Sequence, residues 1–169
     1  MHIQTDRALI PSATPSVRYL QVRVSAPSAP ATTGDPRPPA AVALVLDRSG
    51  SMGGSKFEMA RNAVQHAIRL LSPRDHLAVV CYDDRVDTLL ARTPASAEAK
   101  TLVLDRLAVT DARGATDLPG GWLKGAAELQ GAATPDGPRR VMLLTDGLAN
   151  RGLTDPAELE AAAQSLRAE

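Results

Sequence analysis

The strongest feature of the hydropathy pattern is an unbroken apolar run, Ala40-Ala41-Val42-Ala43-Leu44-Val45-Leu46, that stops abruptly at Asp47. A run without alternation is what a strand buried on both faces of a parallel sheet requires. Leu77 to Tyr82, Val86 to Leu90 and Arg139 to Thr145 read as further strands. The short turn Asp83-Asp84-Arg85 makes two of these a hairpin, with Val86–Leu90 antiparallel at an edge. Upstream, Val17 to Ser25 alternates apolar and polar residues, the pattern of a half-buried strand. Helical spacing appears in Phe57, Ala60, Val64, Ala67, Ile68 and Leu71, opened by a Ser55/Glu58 capping box and ended by Ser72-Pro73. Ser96 caps a second helix, Ala97 to Leu107, with Leu102, Leu104 and Leu107 as its apolar positions. A third begins at Pro119, reaches Ala132 and is weakened by Gly120, Gly121 and Gly125. Asp155-Pro156-Ala157-Glu158 opens a last helix that runs to the end.

This order predicts an α/β fold: a Rossmann-like, doubly wound, mostly parallel sheet with helices on both faces and one antiparallel edge strand. Right-handed crossovers put the first strand centrally, with the hairpin on one side and Arg139–Thr145 on the other. The carboxyl end of the first strand is then a topological switch point, where the loops carrying Asp47, Thr116 and Asp146 can meet. The expected domain covers residues 40–169. It follows an N-terminal extension, 1–25, and a Pro/Ala-rich linker, 26–39, whose composition supports neither helix nor strand.

Composition narrows the function classes. A chain of 169 residues with 44 % hydrophobic content is one globular, soluble domain with a proper core. Its formal net charge of zero argues against bulk electrostatic binding to nucleic acid or an anionic membrane. No apolar run approaches a membrane span, and Met1 to Pro11 lacks the apolar core of a secretory signal, so a cytoplasmic location is expected. The single cysteine, Cys81, excludes an intrachain disulfide; inside an apolar strand it reads as a small core residue.

The chemistry gathers at Asp47-Arg48-Ser49-Gly50-Ser51, where a carboxylate and two hydroxyls follow a buried strand. Hard oxygen donors so placed suit a small cation. This element, with Gly114-Ala115-Thr116-Asp117 and Thr145-Asp146-Gly147 after it, resembles the metal-ion-dependent adhesion site of von Willebrand factor A domains. The resemblance covers roughly Pro39 to Glu169, with the elements in the family's order. It implies that Asp47, Ser49, Ser51, Thr116 and Asp146 surround one divalent ion, whose open position takes an acidic residue of a partner protein. The departure is Ala115, where the family often has glycine. Two carboxylates and three hydroxyls favour Mg²⁺ or Mn²⁺ over Ca²⁺, which takes more oxygens. Helix capping by Asp47 and its serines explains neither Thr116 nor Asp146.

The resulting expectation is a metal-dependent protein-binding module without catalytic residues. The alternatives are a scaffold of the same fold that ignores the metal and, remotely, a metal-assisted phosphohydrolase using Asp47 as nucleophile. The latter needs a second acid where Ser49 stands, and no lysine follows a strand near the site as a charge stabiliser. Arg48 and Arg113 flank the site as possible steering charges. Trp122 is expected in the core or, alternatively, as an anchor at the site's rim. His2, His66 and His76 lack metal-ligand spacing. Family members continue beyond the last helix with a further strand and helix, so C-terminal strands of the fold are expected to be missing here. Val141-Met142-Leu143-Leu144, read as a central buried strand, would then offer an edge to a second copy, to another domain or to the folded-back Val17–Ser25 segment.

Overall fold

The computed structural model describes residues 2–5, 20–23, 37–130 and 137–147, with scattered positions between 155 and 165. Most of the Pro/Ala-rich stretch, the loop around 135–136 and most of the C-terminal helix lie outside the described residues. Within that helix's expected first turn, Asp155 Oδ1 accepts the amides of Ala157 and Glu158 at 2.8 and 3.1 Å, as its capping role requires.

The chain divides into two compact units, Met1–Pro36 and Arg37–Glu169. In the first, β1 (His2–Thr5) pairs antiparallel with β2 (Leu20–Arg23). The alternating pattern thus marks a strand, of which residues 17–19 and 24–25 lie outside the described residues, and its partner β1 carried no recognisable signal. In the second unit, β3 (Ala41–Asp47), β4 (His76–Tyr82), β5 (Val86–Pro94) and β6 (Arg139–Leu144) form one sheet in the order β5-β4-β3-β6. β3 runs parallel to both β4 and β6, and β5 is the antiparallel edge strand. This is the predicted topology, with β3 central; β5 runs on past Leu90 to Pro94.

Alternate residues of β3 and β4 face different helices. Val42, Leu44, Leu46, Leu77, Val79 and Cys81 join one core with Phe57, Val64 and Ile68 of α1 (Ser55–Leu70) and Val103 and Leu107 of α2 (Ala97–Ala108). Ala41, Ala43 and Ala78 pack with Leu129 of α3 (Leu118–Leu129) on the other face. Burial of Cys81 pushes its thiol pKa up to about 12, as expected of an inert core residue.

The helices depart from expectation in three places. The N-cap of α1 is Gly54, without a side-chain cap bond, so the Ser55/Glu58 capping box does not form. The chain enters from a 3-10 turn, and Gly54 adopts the left-handed φ of 76° that this entry needs. In α2, capped by Ser96 as predicted, Val103 is buried whereas Leu102 is 45 % exposed. The face is set by Val103 and Leu107, one turn apart, which an apolar count centred on leucine misses. Asp117 caps α3, which ends at Leu129 rather than Ala132. Its glycines are packing positions: a Cβ on Gly121 would lie 2.3 Å from the Tyr82 ring, and one on Gly125 2.4 Å from Val45 Cγ2. The lost helix propensity is offset by close approach of α3 to the sheet.

Among the described residues β6 has the unpaired outer edge expected of it, but not the burial. It pairs with β3, and Met142 and Leu143 are 49 % and 36 % exposed. At the end of β3 away from Asp47, Asp75 accepts from Arg37, the Ala40 amide and the Ser72 amide. The Arg37 hydrogen bonds hold its carboxyl well below the usual range, against the opposing effect of burial.

Candidate metal centre

β3 ends on Asp47, whose side chain is fully buried. Its Oδ1 accepts the Ser49 amide at 2.8 Å; Oδ2 accepts the Thr145 hydroxyl at 2.7 Å and the Tyr82 hydroxyl at 3.2 Å. Tyr82 is available because parallel pairing sets it opposite Asp47. Burial raises its phenol pKa, so it stays a donor. Beyond Asp47 the 3-10 turn Gly50–Met52 brings the Ser49 and Ser51 hydroxyls to 3.1 Å, and Ser51 Oγ lies 3.4 Å from Asp146 Oδ1. Asp47, Ser49, Ser51 and Asp146 thus form a continuous polar chain from the buried strand end to the surface.

Thr116, only 1 % exposed, sits in the adjoining loop. Backbone bonds fasten that loop: Gly50 N donates to Gly114 O at 3.0 Å, Arg113 N to Arg48 O at 2.6 Å, and Asp117 N to Asp83 O at 2.8 Å. The left-handed residue is Gly114, with φ 71°, so Ala115 does not occupy the turn's glycine position.

Among the described residues no group of three or more His, Cys, Asp and Glu side chains could hold a metal ion. A cation here would therefore depend on hydroxyl oxygens alongside Asp47 and Asp146. The donors are all hard oxygens, a set that fits a small divalent ion.

Arg48 and Arg113 are not free steering charges. Arg48, with its side chain 8 % exposed, donates through Nε to Asp83 Oδ2 at 2.9 Å and also pairs with Asp87. Arg113 Nε reaches the same Asp83 oxygen at 2.8 Å. Burial pushes the Asp83 carboxyl up, yet Arg113, the Arg85 amide and Arg48 together hold it below its ordinary value. This network ties the loops after β3 and β4 to the Thr116 loop.

The site does hold a lysine, one that the sequence reading did not single out. Lys56 Nζ lies 3.0 Å from Asp146 Oδ2 and 3.3 Å from Ser51 O. It enters from the first turn of α1, not from a strand end. Tyr82 and Thr145 were missed as well; Thr145 stood beside Asp146 in a quoted motif, and Tyr82 required the strand register. Trp122 is half-buried on α3, and His66 is exposed on α1.

The von Willebrand factor type A domain model matches residues 42–149, spanning β3, the Thr116 loop and Asp146. The chain belongs to the von Willebrand factor type A (VWA) family. This VWA chain is 32 % identical over 140 residues to human inter-alpha-trypsin inhibitor heavy chain H3, which covers 77 % of the chain and 15 % of that protein. It is 31 % identical over 152 residues to an uncharacterised Synechocystis protein, covering 89 % of the chain and 34 % of the relative. The chain thus spans no more than about a third of these relatives.

Among solved structures, the VWA protein of Catenulispora acidiphila superposes with a TM-score of 0.64 at 27 % identity, covering 76 % of this chain and 30 % of that one. Proximal thread matrix protein 1 of the mussel byssus, whose metal-ion-dependent adhesion site holds zinc, gives 0.58 at 23 % identity, with 76 % and 34 % covered. At that identity the likeness establishes the fold alone.

Proposed function

We propose that this VWA domain is a protein-binding module in which Asp47, Ser49, Ser51, Thr116 and Asp146 hold a divalent cation that coordinates an acidic residue of a partner. The observation that carries the reading is the polar chain from buried Asp47 through Ser49 and Ser51 to Asp146. Such a graded arrangement anchors a ligand set on a rigid strand end while its outer members face solvent. When bound, the ion supplies a Lewis-acidic position for a carboxylate. Mg²⁺ and Mn²⁺ suit two carboxylates and three hydroxyls better than Ca²⁺. The zinc in the mussel byssus protein's site supports the use of a divalent ion on this fold.

Binding is favoured over phosphoryl transfer by the state of Asp47. Hydrogen bonds to both oxygens lower their nucleophilicity, and Ser49 stands where a phosphoryl-accepting aspartate needs a second acid. Oδ1, with the Ser49 amide as donor, keeps a lone pair for a cation.

Calorimetric titration with Mg²⁺ and Mn²⁺ tests the reading. Asp146→Ala, at the outer end, is expected to weaken binding by on the order of tenfold or more. Asp47→Ala is expected to abolish it, with circular dichroism confirming that the variant folds. Parent-like affinity in both variants would sink the assignment. Partner binding should likewise be lost in chelator and restored by either ion; chelator-insensitive binding would favour a metal-independent scaffold.

A further inference from the structure

Lys56 carries a further inference. It lies in the first turn of α1, where the helix dipole disfavours a positive charge. Its ammonium nevertheless bridges Asp146 Oδ2 at 3.0 Å and Ser51 O at 3.3 Å, so it spans two loops of the candidate metal centre. The Asp146 side chain is only 16 % exposed, whereas that of Lys56 is 57 % exposed. A flexible stem thus delivers a single positive charge from solvent onto a half-buried proposed ligand.

We propose that Lys56 is the built-in counter-ion of the site: it holds Asp146 beside Ser51 in the metal-free protein and is displaced from Asp146 when a divalent cation loads. This rests on the metal-binding reading above. Two cations beside one carboxylate repel each other, so loading requires the ammonium to move away. A pair with one exposed member is weak enough to be broken, so the lysine tunes affinity rather than blocking the site. It has opposite effects in the two states, stabilising the empty site and opposing the filled one. An ordinary surface ion pair would have only the first.

The test uses the full chain, Lys56→Met and Lys56→Arg, with Mg²⁺ and Mn²⁺ calorimetry at fixed ionic strength and thermal melts in chelator. Lys56→Met is expected to bind either ion about fivefold more tightly or better, the scale of one exposed ion pair released from competition. In chelator it should melt below the parent. Lys56→Arg, keeping the charge, should stay near the parent in both measurements. If the parent binds metal and Lys56→Met binds equally or more weakly, the proposal is overturned while the metal site stands. If neither protein binds, the metal reading fails and the proposal with it. Binding by Lys56→Met alone would support the proposal in its strongest form.

Discussion

At the residue scale, the centre separates into groups encoded by local motif and groups supplied by register. Asp47, Ser49, Ser51 and Asp146, which hydrogen bonds link in the structure, each stand in a short pattern with its own chemistry, as does the proposed ligand Thr116. Tyr82 reaches Asp47 only through the parallel pairing of β3 with β4, and Lys56 reaches Asp146 across 90 positions. No local pattern announces such contacts. Arg48 and Arg113 show the converse: exposed charges in the sequence reading, they converge on one buried carboxylate in the structure. Asp83→Asn should therefore cost about 3 kcal/mol, since it strips a buried guanidinium of one of its two acidic partners. Arg113→Ala, which removes the more exposed partner, should cost ~1 kcal/mol or less. Urea unfolding of the two variants checks this; equal losses would mean that the buried charge is compensated elsewhere.

At the element scale, the apolar runs identified β3 and β4, which bury both faces and leave little ambiguity, and also the edge strands β5 and β6, whose faces are only partly buried. Helix surfaces were less legible. Leu102 outranked Val103 by residue type but loses to it by geometry, and the glycines of α3 argued against a helix that they in fact allow to dock. Gly121 gives the sharpest test. Replacing an exposed mid-helix glycine by alanine ordinarily gains up to ~1 kcal/mol. Here the new methyl would press on the ring of Tyr82, so Gly121→Ala should instead destabilise by ~1–3 kcal/mol. Denaturant midpoints decide the sign, and a stabilised variant would show that α3 can lift from the sheet at little cost.

At the scale of the whole molecule, the sheet order β5-β4-β3-β6 follows from crossover handedness and one tight hairpin. The open edge of β6 was expected, but the exposure of Met142 and Leu143 was not, because burial of a strand's faces depends on what packs against them rather than on its own residues. No helix among the described residues is long and apolar enough to cross a membrane. The Thr145 hydroxyl meets the Asp47 carboxylate across 98 positions of chain, and that separation bears on time as well as place. The hairpin of β4 and β5 closes a short loop, whereas joining β6 to β3 must wait for most of the chain to be arranged. A cation held at the junction would therefore reward the native state more than the folding transition state. Mg²⁺ should slow unfolding in stopped-flow experiments and leave the refolding rate nearly unchanged; accelerated refolding would place the junction in the nucleus. With late closure, the strand end proposed to recognise a partner is also the first to open, and ligand occupancy there becomes a brake on the lifetime of the folded chain.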